Sequence, residues 1–297
     1  MAWDARGQRA RTLVGGAKRP VNQSPPAPGP PADPIHVIDQ GAGSPTFLFV
    51  HGFGCAHDDW RAQVAELSGA HRCIAVDLPG HGATPVSGTP SIAALAAALN
   101  HVKRAAGARD AILVGHSLGA KVVREAYAQD RDNVVGLVLV EGRYYRGDTP
   151  ALVAEAGRTI DEAGFHAFAE RFFSGMFRDD DRSAARRRVL DRLARFDAAF
   201  GRALYLDSIG WDDTRGIETL AGIDVPVLVL QSTAIENGKR VPLAPGATTP
   251  FMDLVTAHVP HATTTVVTGC AHFPMLEAPD AVNRALREFA RRVEVAR

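Results

Sequence analysis

Ile112-Leu113-Val114-Gly115-His116-Ser117-Leu118-Gly119-Ala120-Lys121-Val122-Val123 is an apolar run that breaks into a helix through a Gly-x-Ser-x-Gly turn. A strand reversing directly into a helix forces its central residue into a strained conformation and lifts that side chain clear of the sheet. Small neighbours are required, and Gly115 and Gly119 supply the room. The helix that follows aims its N-terminal N–H groups at the same point, where they favour negative charge. One element thus presents the Ser117 hydroxyl and half of an anion-stabilising pocket. The same pattern also fits an ordinary strand, turn and helix with an incidental serine, so the rest of the chain must decide.

On the N-terminal side, Phe47-Leu48-Phe49-Val50 has the unbroken apolar character of a strand buried on both faces of a parallel sheet. It ends in His51-Gly52-Phe53-Gly54, where two glycines turn the backbone and leave the Phe53 N–H facing a cavity. A short strand is expected at Ile35-His36-Val37-Ile38, with no clear second strand before Phe47. A helix is expected from His57 to Leu67, and Cys73-Ile74-Ala75-Val76 returns as a buried strand into the turn Asp77-Leu78-Pro79-Gly80-His81-Gly82. Ser91 caps a helix that Gly107 stops. After the Ser117 element, Val134 to Val140 forms another strand, ending at Glu141. Strands alternating with helices at this spacing give βαβ crossovers, and in such sheets the chemistry gathers at the carboxyl ends of the strands. His51, Asp77, Ser117 and Glu141 all fall there.

Between Tyr144 and Gly222 helical stretches follow one another without a strand, at 150–163, 165–176 and 183–199. This reads as a helical cap over residues 144–221, inserted into a core of residues 34–143 and 222–297. Phe168 and Phe172 belong to an aromatic cluster that either glues the cap to the core or lines an apolar pocket beneath it. The sheet resumes at Val225–Leu230, followed by an irregular loop from Gln231 to Thr248. A helix through Phe251, a strand at Thr263–Val267 and a last helix from Pro279 to Val293 complete the domain. His272 lies between that last strand and helix.

The chain has 297 residues, 33 basic and 33 acidic, so no broad field is present to hold nucleic acid or an anionic membrane. A small-molecule substrate is the expected partner, with the protein a monomer or homodimer. Cys55, Cys73 and Cys270 are odd in number and show no CxxC spacing, which fits a reducing cytoplasm and argues for no zinc ribbon. No stretch has the length of a membrane span, and the proline-rich residues 1–33 read as a disordered tail.

His51-Gly52-Phe53-Gly54, Asp77-Leu78-Pro79-Gly80-His81-Gly82, Gly115-His116-Ser117-Leu118-Gly119 and Gly269-Cys270-Ala271-His272-Phe273, in that order, resemble the α/β-hydrolase superfamily, in its capped esterase, lactonase and C–C hydrolase branch. The resemblance covers nearly everything from Ile35 onward. It implies a mostly parallel central sheet of about seven to eight strands flanked by helices, with the cap after strand six. It also implies Ser117 as nucleophile, His272 as its base and the N–H groups of Phe53 and Leu118 as an oxyanion hole. His51 and His116 lie near the site as possible substrate contacts, and Asp77 ties down its own loop.

The acid departs from the common pattern. Most relatives place an aspartate just beyond the seventh strand, whereas Gln231-Ser232-Thr233-Ala234-Ile235-Glu236 has none. Glu141 at a strand end and Glu236 in the following loop compete, and Glu141 is preferred because a strand end positions a carboxylate more reliably. The expected function is a cofactor-free serine hydrolase acting on a carboxylic ester or lactone with an apolar or aromatic part. The other readings are hydrolysis of a C–C bond in a β-diketone-like aromatic-degradation product, or ligand binding without catalysis.

Overall fold

Five runs of side chains with no polar face to offer water, β2 (Thr46–Val50), β3 (Cys73–Val76), β4 (Ala111–His116), β5 (Val134–Val140) and β6 (Val227–Gln231), stack side by side in the core. Being buried on both faces, they pair in parallel and form the centre of a sheet that needs helices over each side. With β1 (Val37–Gln40) and β9 (Thr263–Val266) at the edges, the order is β1-β3-β2-β4-β5-β6-β9, and β1 alone runs antiparallel to its neighbour. The computed structural model describes residues 34–295 except 146, 179, 182, 237 and 238. The tail expected for residues 1–33 lies outside the described residues.

The helices are α1 (Arg61–Leu67), α2 (Ile92–Ala105), α3 (Leu118–Gln129), α9 (Pro250–His258), α10 (Pro274–Glu277) and α11 (Pro279–Val295) around the sheet. Between β5 and β6 come α4 (Thr149–Ala163), α5 (Phe165–Ser174), α6 (Ala184–Leu193), α7 (Ala198–Trp211), a π-helical turn at Asp212–Gly216 and α8 (Ile217–Ala221). Ser91 caps α2 as expected, its Oγ accepting from the Ala94 N–H. Among the described residues no helix is long and apolar enough to cross a membrane.

Three expectations need correction. The helical insertion follows the fifth strand in chain order, because Gly41 and Gly43 carry the backbone straight from β1 to β2 with no strand between. The third expected insertion helix stops at Leu193, and a further helix, α7, starts where Asp197 accepts from the Phe200 N–H. The loop expected over 231–248 holds an antiparallel hairpin, β7 (Thr233–Glu236) with β8 (Lys239–Pro242). Its signal was Asn237-Gly238, a dipeptide favoured between paired strands.

Buried charge docks the insertion on α3. Lys121 Nζ donates to Asp212 Oδ2 at 2.6 Å and to the Ser208 carbonyl, while Glu125 accepts from Trp211 Nε1 and from Arg215. At the turn before α3, an added Cβ on Gly115 would lie 2.2 Å from the Gly119 carbonyl oxygen, and one on Gly119 2.6 Å from the carbonyls of Val50 and His51. Backbone cannot yield as a side-chain tip can. Gly115→Ala is therefore expected to lower stability by about 3 kcal/mol, read as a drop in the urea midpoint at unchanged m.

Candidate active site

Ser117 stands at φ 54°, ψ −111°, a left-handed backbone for a residue with a Cβ, held by its N–H donating to the Val140 carbonyl at 2.8 Å. On the next strand, Glu141 has φ 51° and its N–H donates to the Leu230 carbonyl at 2.8 Å. Each such conformation costs on the order of 1–3 kcal/mol and persists only where surrounding structure imposes it. Here the ladder of β4, β5 and β6 imposes both, at neighbouring carboxyl ends.

His272 reaches the same rim from the segment after β9. Its N–H donates to the Met176 carbonyl at 3.1 Å and its carbonyl accepts from His116 Nε2 at 2.8 Å. Glu277 braces the segment by accepting from the Ala271 and Phe273 N–H groups. His272 Nδ1 lies 2.8 Å from Glu141 Oε2. Glu141 is buried and also accepts from the N–H and Oγ of Ser232, the N–H and Oγ1 of Thr233 and, at 3.4 Å, Arg240 Nη1. These donors satisfy a carboxylate that burial would otherwise leave without partners.

With Nδ1 on the carboxylate, His272 Nε2 is buried with no hydrogen-bond partner among the described residues. His272 and Ser117 line one small cavity of about 20 Å³ together with His116, Phe53, Phe172 and Met176. A second cavity, of about 50 Å³, also reaches Ser117 and is walled by Phe53, Phe172, Met176 and Tyr205. Burial, with the cations of Arg240 and Arg143 nearby, holds the His272 imidazole well below the usual histidine range and therefore neutral at pH 7. Leu118 opens α3, so its N–H is among those a helix leaves without an internal partner. Phe53 lines both cavities, and Leu118 lines the one of about 50 Å³.

The remaining candidates separate. Glu236 is exposed on the β7–β8 hairpin, and the carboxylate against His272 is Glu141. Phe168 lines neither cavity at Ser117; it stacks behind Phe172 and against Tyr205. His51 lines neither cavity, since Nδ1 donates to the Gly52 carbonyl and Nε2 accepts from the Leu78 N–H. Ser232, Thr233, Arg143 and Arg240 were missed, because nothing local marks a residue that reaches the site through a hairpin or a turn. Among the described residues one group has the types and spacing to hold a cation, His36, His57 and Asp77. Its carboxylate already accepts from both imidazoles and from the His57 and Ala83 N–H groups, which ties down the 77–83 loop.

A pimeloyl-[acyl-carrier protein] methyl ester esterase of Edwardsiella ictaluri is 26% identical over 276 residues, 84% of this chain and 95% of that protein. The dihydrolipoyllysine-residue acetyltransferase component of the acetoin cleaving system of Cupriavidus necator is 32% identical over 107 residues, which cover 36% of this chain and span only 29% of that protein's length. Among solved structures, the enol-lactonase from Burkholderia xenovorans superposes with a TM-score of 0.70 at 20% identity, covering 86% of this chain and 95% of that one, a likeness of fold. The alpha/beta hydrolase family model matches residues 47–285. Together with the sheet order and the strained serine between β4 and α3, that match places the chain in the alpha/beta hydrolase family.

Proposed function

We propose that this protein is a serine hydrolase that cleaves a carboxylic ester or lactone through an acyl-enzyme, with Ser117 as nucleophile, His272 as general base and Glu141 as the acid. The observation that carries this reading is the His272 ring, with Nδ1 on Glu141 and Nε2 unpartnered in a cavity shared with Ser117. A serine hydroxyl is barely nucleophilic until a base takes its proton. His272 Nε2 takes that proton as Ser117 Oγ attacks the carbonyl carbon, and Glu141 stabilises the imidazolium that forms. The N–H groups of Phe53 and Leu118 receive the oxyanion, each such donor contributing about 3 kcal/mol in the transition state. The imidazolium then protonates the leaving alcohol, and a water activated by the same ring releases the acid.

Helices α4–α7 act in this reading as the cap over the substrate. It is supported by Phe172, Met176 and Tyr205 walling the cavity and by the Met176 carbonyl bonding the His272 N–H. The esterase relative is in keeping with ester chemistry. The test is peptide mass spectrometry after treatment with a fluorophosphonate. The expected result is a single phosphonylated residue, Ser117, and none in Ser117→Ala; wild-type protein left unmodified at Ser117 would overturn the reading.

A further inference from the structure

The cavity at Ser117 carries more positive charge than its own ion pairs consume. Lys121, Arg143 and Arg240 all line it, and among the described residues no carboxylate does. Lys121 is spent on Asp212 and on the Ser208 carbonyl. Arg240 is spent in part on Glu141 at 3.4 Å and on Thr233 Oγ1 at 3.0 Å. Arg143 has no ion-pair partner among the described residues; its guanidinium stacks on the Tyr145 ring, 4.3 Å from the centroid. Three cations thus meet two carboxylates, Asp212 and Glu141, both behind the cavity wall.

Arg143 is not a loose surface group that happens to swing inward. The segment after Glu141 is pinned where the Tyr145 N–H donates to Asp212 Oδ2 at 2.8 Å, the same carboxylate oxygen that holds Lys121. Tyr145 is hydrogen-bonded to Tyr205, which forms part of the apolar wall. Arg143 and Arg240 also line a neighbouring cavity of about 200 Å³ beside Tyr144, Thr233 and Phe251. The two guanidinium groups therefore stand on the partition between the Ser117 cavity and a roomier one. Maintaining an unpaired cation in a half-buried position is unfavourable unless an anion arrives to meet it.

We propose that Arg143 and Arg240 form an anion subsite, so that the substrate is a small ester or lactone bearing a carboxylate on an apolar arm. This rests on the hydrolase reading above and narrows its substrate class. The arm packs on Phe53, Phe172 and Met176, and the carboxylate lies between the guanidinium groups, whose fixed fork of donors matches its two oxygens. Glu141 balances only one of the charges of Arg143, Arg240 and the His272 imidazolium, so the substrate carboxylate and the oxyanion together bring the group to neutrality.

The experiment compares monomethyl esters of straight-chain dicarboxylic acids from succinate to adipate with neutral methyl esters of equal length, on the full chain. For the best pair, the wild type is expected to favour the carboxylate-bearing ester by about tenfold or more in kcat/KM, mostly through KM. Arg143→Met is expected to erase that ratio, and Arg143→Lys to restore part of it. A ratio near one in the wild type would overturn the subsite. So would an equal loss on both esters in Arg143→Met, which would mean that the cation serves the oxyanion instead. A readout independent of turnover is calorimetric binding of hexanoate against hexanamide, with the carboxylate expected to bind about tenfold tighter and the difference to vanish in Arg143→Met. Equal binding overturns the subsite even if esters are cleaved. Preferential carboxylate binding without Ser117 labelling or turnover supports the subsite and overturns the hydrolase reading alone.

Discussion

Glu141→Gln is expected to lower kcat/KM on an aryl ester by about 10⁴-fold, the scale of loss when a triad carboxylate becomes an amide. The geometry specifies why. Oε1 of Glu141 accepts from two backbone N–H groups, those of Ser232 and Thr233, so a glutamine must place its oxygen there. Its NH₂ then occupies the position of Oε2, 2.8 Å from His272 Nδ1, and donates to that nitrogen. The ring proton is driven to Nε2, the atom that in the proposed mechanism accepts from Ser117. Glu236→Gln, on the exposed hairpin, is expected to leave turnover unchanged. A Glu141→Gln enzyme of wild-type rate would remove Glu141 from the triad, and an impaired Glu236→Gln enzyme would point to the other carboxylate.

Acid is expected to destabilise the protein from about pH 6.5 downward, where ordinary carboxylates are still ionised. Burial lowers His51 to about 4 and His81 and His116 to about 3, and it holds His272 well below its ordinary value. All four rings are neutral in the folded protein and gain a proton on unfolding as pH drops below about 6.5. The unfolded state therefore binds more protons in this window, and stability rises with pH. The stability is complete above pH 6.5 and is lost as pH falls toward 4. Each ring contributes about 1.4 kcal/mol per pH unit, so four give roughly 5.6 kcal/mol per unit against a total stability of about 5–15 kcal/mol. Asp59, Asp207 and Glu277, raised by burial, bind protons in the folded state and offset part of the slope. Urea titrations at pH 7.5, 6.0 and 5.0 read the effect. His81→Gln is expected to flatten the slope by about 1.4 kcal/mol per unit, and an unchanged slope would show that His81 does not titrate between the two states.

The two carboxylates show where reading the chain stopped. The polar residue ending an apolar run was legible as a strand-end residue, and Glu141 was preferred over Glu236 on that ground alone. What separates them physically is the β7–β8 hairpin, which carries Glu236 out to solvent while its base delivers Ser232 and Thr233 to Glu141. The phenylalanines show the same limit. Phe168 and Phe172 are four apart on one face of α5, and only packing against Tyr205 puts Phe172 at the cavity with Phe168 behind it.

Residue order alone determined the sheet, because runs such as Phe47–Val50 and Val134–Val140 have no polar face and must be buried on both sides. It also determined the serine turn, because only glycine at 115 and 119 lets backbone approach so closely. Tertiary structure decided which carboxylate meets His272, which aromatic ring faces Ser117 and that Arg143 is left without an ion-pair partner among the described residues. Those outcomes depend on segments up to about 130 residues apart arriving at one rim, Glu141 and His272 foremost, and no local pattern encodes a distance across the sheet.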